Sequence, residues 1–198
     1  MIKNDEQLVR EFVGGNEDAL EELVAKYLKP IYNFVYQLTR DTGVSEDITQ
    51  DVFVRMWRSI NSFDENKKFS TWIFAIAKNA SLDWLKKKKA IPFAFFERLD
   101  GSNMLEYVED ESVVDADEIL MLIDARKDIQ ELLALLPLGV QTILLLHHTQ
   151  GFSLIEIAQI MGQSTNTTKS QYRRAILQLR EKVVGENKDT AIVAPKNA

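Results

Sequence analysis

The chain has 198 residues, 45% of them apolar, no cysteine and a formal net charge of −6. It is bounded to one large domain or two small helical ones, without disulfides, thiolate metal sites or Cys nucleophiles. No apolar run approaches the roughly 20 residues that a membrane helix needs, and the opening Met-Ile-Lys-Asn-Asp-Glu lacks an apolar signal core, so a cytoplasmic protein without membrane insertion is expected.

Helical spacing dominates in chain order, and no strand-like alternation persists. Leu8, Phe12 and Val13 mark a short first helix ended by Gly14-Gly15. Ala19, Leu20, Leu23, Val24, Tyr27, Ile31, Phe34, Val35 and Leu38 form a long amphipathic helix, with Pro30 a point of kinking. Asp41-Thr-Gly43 breaks it, and Ile48, Val52, Met56 and Ile60 line the next. Asp47, Gln50, Asp51 and Val54 share a second face at spacings of three and four. No nucleophile, histidine or desolvated pocket accompanies these carboxylates, so a solvated face is their plain reading and a catalytic pair is not expected. After a polar loop from Ser62 to Lys68, Ser70 or Thr71 is expected to cap a helix running through Trp72, Ile76, Ala80 and Trp84.

The net charge hides blocks: −6 over residues 1–65, +6 over 66–95, −8 over 96–118 and +2 over 119–198. Such blocks are local electrostatic footprints. The basic block mixes flat groups (Phe63, Phe69, Trp72, Phe74, Trp84), cations (Lys67, Lys68, Lys78 and Lys86 to Lys89) and hydrogen-bonding groups (Ser70, Thr71, Asn79). Single-stranded nucleic acid is bound by that mixture, through stacking and phosphate contacts. The competing reading is that most of these aromatics are core and the lysines a solvated helix end.

Residues 96–118 read as an acidic flexible linker. Helical periodicity returns from Ile119 through Leu136, Pro137 and Gly139 mark a turn, and a helix through Ile143, Leu144 and Leu145 ends at Gly151. Then comes a helix-turn-helix pattern. Ser153 and Glu156 form a capping box, Ala158 is small at a close crossing, and Gly162 permits a positive-φ turn. Ser164 or Thr165 caps the second helix. Thr168, Tyr172, Ile176, Leu179 and Val183 share its inner face; Asn166, Lys169, Ser170, Arg173 and Arg174 occupy the outer one. A basic outer face over a packed inner face suits the major groove; a plain helical hairpin is the alternative. His147 and His148 are adjacent and point about 100° apart on a helix, so no metal site is expected. The chain carries no phosphate loop or triad either, and it is expected to be no enzyme and to need no cofactor. The fold class is therefore all-α: two small helical domains over 1–95 and 119–184, the acidic linker over 96–118, and a disordered tail over 185–198.

Three stretches together resemble the extracytoplasmic-function sigma factors: Glu46 to Trp57, Phe69 to Asn79 with Asp83 to Lys88, and Leu136-Pro137 leading to Gly151–Ala158 and Lys169-Ser170. The resemblance implies a sigma domain 2, the linker, and a sigma domain 4 with the helix-turn-helix. It implies that Asp47, Gln50, Asp51, Val54 and Trp57 bind core RNA polymerase. The −10 promoter element would be melted and held by Phe63, Lys67, Lys68, Phe69, Ser70, Thr71, Trp72, Lys78, Asn79, Lys86 and Lys87. The −35 duplex would be read by Ser164, Thr165, Asn166, Thr167, Lys169, Ser170, Arg173 and Arg174, with His147 near phosphate. An anti-sigma factor is a further implied partner. The sequence departs from the family at Asn166 and Thr168, where Gly and Val are usual, and at Gln171, where Arg is usual; Gln171 is expected to weaken the phosphate footprint. The rival readings are a helix-turn-helix regulator acting without polymerase and a helical protein-interaction adaptor.

Overall fold

The computed structural model describes residues 3–89, Leu133 and residues 136–191. The linker expected over 96–118 and the periodic stretch from Ile119 lie outside them. The described residues are helical, with no strand among them: α1 (Asp5–Val13), α2 (Glu17–Thr39), α3 (Thr42–Ser59), a 3₁₀ turn (Ile60–Ser62), α4 (Phe69–Lys89), α5 (Leu138–His148), α6 (Leu154–Met161) and α7 (Thr165–Ala191). None of these helices is long and apolar enough to cross a membrane. The chain separates into two compact units, one of residues 1–92 with 142–165, the other of 93–141 with 166–198.

In the first unit, α2, α3 and α4 pack on one another and α1 closes against α2. Leu23, Ile31, Phe34, Met56, Ile60, Phe69 and Ile73 are almost wholly buried there. Burial of such side chains contributes about 1.5–3 kcal/mol each, and this is what holds the bundle together. The helix limits follow local chemistry. The Gly14 amide closes α1 on the Arg10 carbonyl at 2.9 Å, and Gly15 turns the chain away at φ 100°. α2 runs through Pro30 and stops at Arg40, which adopts the left-handed conformation at φ 57°. Asp41 then caps α3, its Oδ1 accepting from the Val44 amide at 3.1 Å, while Ser45 is buried and bonds back to the Asp41 carbonyl at 2.6 Å.

Two sequence expectations are corrected in α4. Neither Ser70 nor Thr71 caps it. The helix begins at Phe69, whose amide donates to the carboxylate of Glu6 in α1 at 2.9 Å, a partner 63 positions away that no local pattern announces. The buried face is also rotated: Phe69, Ile73, Phe74, Ala77, Ser81 and Leu85 point inward, and Trp72, Ile76 and Trp84 are only half-buried. Large aromatic rings at the flank cover the core edge while keeping one side in solvent.

In the second unit, α7 buries Thr168, Gln171, Ala175, Ile176 and Leu179. It continues to Ala191, so residues 185–191, expected as the start of a disordered tail, extend the helix. One interior glycine, Gly185, opposes helix by only about 1 kcal/mol, and the segment holds no proline.

Candidate functional site

On α3, three- and four-residue spacing sets Asp47, Gln50, Asp51, Val54 and Trp57 on the side opposite Ile48, Val52 and Met56. The latter three are buried. Asp47, Gln50, Val54 and Trp57 are exposed and Asp51 is half-buried. Asp51 accepts an ion pair from Arg55 one turn on, at 2.7 Å. Val54 and Trp57 are 43% and 57% exposed, an apolar pair one helical turn apart on the water-facing side of α3.

The aromatic and basic stretch divides into three sets. Phe69 and Thr71 are buried, Phe69 in ring contact with Tyr27 at 5.3 Å, Phe63 at 5.8 Å and Trp72 at 5.6 Å. Both lie beneath the surface and pack under the groups above them. Phe63, Ser70 and Trp72 are half-buried, with Phe63 and Trp72 5.3 Å apart as a tilted aromatic pair at the surface. Lys67, Lys68, Asn79, Lys86 and Lys87 are exposed. Lys78 is 8% exposed, and burial pushes its ammonium pKa below the usual range, with the charge of Lys86 adding to the effect. Lys88 lies over the Trp84 ring at 4.5 Å and within 3.8 Å of Asp41, which ties down part of the lysine run.

Residues 142–165 pack on this bundle, with α6 against α4. The rings of Phe74 and Phe152 meet edge-to-face at 4.9 Å, the Thr149 hydroxyl donates to Gln37 at 3.2 Å, and Lys68 donates to Oε1 of Glu156 at 2.7 Å. The other oxygen of Glu156 closes the expected capping box, accepting from the Ser153 amide at 2.9 Å and its hydroxyl at 2.7 Å. Lys68 first, and then Ser153, hold the Glu156 carboxyl down to about 2, against an ordinary 4.5. A carboxylate favoured by the folded state stabilises it fully above the ordinary pKa and stops doing so as pH falls through the folded value. Glu156→Gln should therefore melt earlier than the parent at neutral pH, and the gap should close between pH 4.5 and pH 2. The expected loss is about 0.5–2 kcal/mol, the size of a cap, because the Lys68 end of the pair is exposed and screened. Thermal melts across that pH range measure it.

Past α6, Gly162 takes φ 72°, the left-handed turn that the pattern demanded. α7 starts at Thr165, leaving Ser164 at the capping position. Asn166, Lys169, Ser170 and Arg174 are exposed along it, as is Ser164; Thr165, Thr167 and Arg173 are half-buried. Two expectations shift. Gln171 is buried, so it belongs to the packing of α7 and not to a phosphate footprint. The half-buried His147 sets Nδ1 against the Phe152 carbonyl at 2.7 Å; since a carbonyl only accepts, Nδ1 carries the proton and fixes the turn between α5 and α6.

Known proteins match along most of the chain. Residues 23–91 match the family Sigma-70 region 2, and residues 126–179 match Sigma-70, region 4. The chain is 30% identical over 177 residues to the ECF RNA polymerase sigma factor SigW of Bacillus subtilis, covering 88% of this chain and 94% of SigW. It is 24% identical to the ECF RNA polymerase sigma factor SigX of the same organism, covering 83% and 84% of the two chains. Among solved structures it resembles CnrH, seen in complex with the cytosolic domain of CnrY. The TM-score is 0.66 at 21% identity, with 91% of this chain and 97% of that one covered. It also resembles RpoE of Bartonella quintana, seen with the anti-sigma factor NepR, at a TM-score of 0.58 and 20% identity over 83% and 96% of the chains. With both regions matched in order and a relative aligned nearly end to end, the chain belongs to the extracytoplasmic-function group of the sigma-70 family of RNA polymerase sigma factors.

Proposed function

We propose that the protein works as a dissociable specificity subunit: it binds core RNA polymerase through α3, reads −35 duplex through α7, and opens and holds the −10 element with residues 63–87. The observation that carries this reading is the two-sidedness of α7. Asn166, Lys169, Ser170 and Arg174 are exposed, while Thr168, Ile176 and Leu179 are buried. In chain order it follows the capped α6 and the left-handed turn at Gly162, the succession of a helix-turn-helix. Lysine and arginine on such a helix bind phosphates and guanine edges in the major groove.

At −10, the tilted pair Phe63 and Trp72 offers flat surface, and the exposed Lys67, Lys68 and Asn79 offer polar contact along the same stretch. Capturing an extruded base costs a few kcal/mol of unstacking. Free protein with 30 carboxylates and net charge −6 meets DNA against repulsion, so polymerase contacts have to supply part of that energy. The chemistry of strand synthesis belongs to the polymerase; this subunit supplies position and binding energy in the cytoplasm. An anti-sigma factor is a fitting regulatory partner, since the structural relative RpoE is seen with one.

Run-off transcription with purified core polymerase tests the reading, and absence of any promoter-dependent product across promoters of the family type would overturn it. Val54→Asp combined with Asp51→Arg should weaken binding to core polymerase by tenfold or more, since charge against a buried apolar contact costs about 1.4 kcal/mol or above. Titration of labelled protein against core polymerase measures that loss. Far-ultraviolet circular dichroism should show an unchanged fold, because Val54 is exposed.

A further inference from the structure

α3 does not end the exposed apolar surface. Trp57 leans over a cleft of about 330 Å³ that it lines with Arg58 and Asn61 on one side and Phe12 and Val13 of α1 on the other. Val13 is 53% exposed and Trp57 57%. The far wall belongs to the bundle: α1 packs on the 3₁₀ turn, an exposed Arg10 bridges to Glu65 at 3.2 Å, and Gly14 and Gly15 end the helix directly after Val13. Trp57 thus faces two ways, toward Val54 along α3 and toward Val13 across the cleft.

We propose that the polymerase-docking surface runs from α3 onto the C-terminal end of α1, and that this cleft is its socket for an apolar side chain of the core polymerase. The proposal rests on the reading of α3 as the polymerase-binding helix. Three observations point to this occupant. Asp47 to Trp57 spans about 15 Å of helix, and its five side chains fall far short of the roughly 20–30 residues a side that a specific interface employs; the α1 end is its direct continuation. Aromatic anchors seated in pockets dominate binding energy at such interfaces, and Trp57 is an exposed aromatic joined to a preformed cleft. Charge along the surface is of mixed sign: the exposed Asp47 on α3 suits a cation opposite it and Arg58 at the cleft mouth suits a carboxylate, which fits a protein occupant.

The test uses the full chain and purified core polymerase, comparing Val13→Asp, Val54→Asp and Leu28→Asp. Leu28 is 49% exposed and does not line the cleft. Val13→Asp should weaken core binding about tenfold or more, as truncated or charged anchors do, while Leu28→Asp binds as the parent does and all three melt alike. If Val54→Asp loses binding and Val13→Asp does not, the socket is refuted and the α3 assignment stands. Should neither lose binding, both fall. Equal losses for Val13→Asp and Leu28→Asp would reduce the effect to added negative charge and refute the socket. A parent chain that self-associates, and that Val13→Asp renders monomeric without touching polymerase affinity, would assign the cleft to a second copy and overturn the proposal.

Discussion

Reversing charge at Lys169 and Arg174 together is expected to cut transcription from a −35-dependent promoter on the order of a hundredfold, since each such contact contributes about 1–3 kcal/mol. Binding to core polymerase should stay at the parent level, because both residues lie on α7 and neither is on α3. Both are exposed, and surface substitutions of this kind shift stability within about 0.5 kcal/mol, so the loss would report contact and not unfolding. Run-off assays on matched promoters with and without the −35 sequence make the measurement. A plain adaptor would transmit its signal unchanged by both reversals. A regulator acting without polymerase would instead lose duplex binding as the isolated chain, with a steep salt slope in the parent.

Phe69→Ala is expected to act differently from its position in the aromatic and basic stretch. Phe69 is fully buried between Tyr27, Phe63 and Trp72, and truncating a buried Phe destabilises by about 3–5 kcal/mol. That is a large part of the roughly 5–15 kcal/mol available to a small domain. Urea unfolding should show the midpoint drop, and promoter opening and polymerase binding should fall together. Trp72→Ala, from a half-buried site, should lose less stability and act chiefly on opening. A Phe69→Ala protein that melts like the parent yet fails only at −10 would place Phe69 at the DNA after all.

The contrast between these residues shows what the sequence could carry. Helical period and capping chemistry are local, so the break at Asp41, the box of Ser153 with Glu156 and the turn at Gly162 were legible from neighbours alone. So was the buried row Ile48, Val52 and Met56, with the water-facing side opposite it. The phase of α4 was not, because aromatics occur on nearly every side of it and a ring serves equally as core or as surface. The start of α4 was hidden for another reason: its capping oxygen comes from Glu6, a tertiary event. Gln171 is opaque in the sequence because a glutamine beside two arginines fits an outward polar row as well as the packed face that buries it.

Lys68 already neutralises Glu156, so a backbone phosphate arriving at Lys68 must exchange one anion for another. Such an exchange releases fewer condensed counterions than a phosphate meeting an unengaged lysine. Lys68 would therefore add little to the ionic-strength dependence of promoter binding, and that dependence would undercount the cations that touch the backbone.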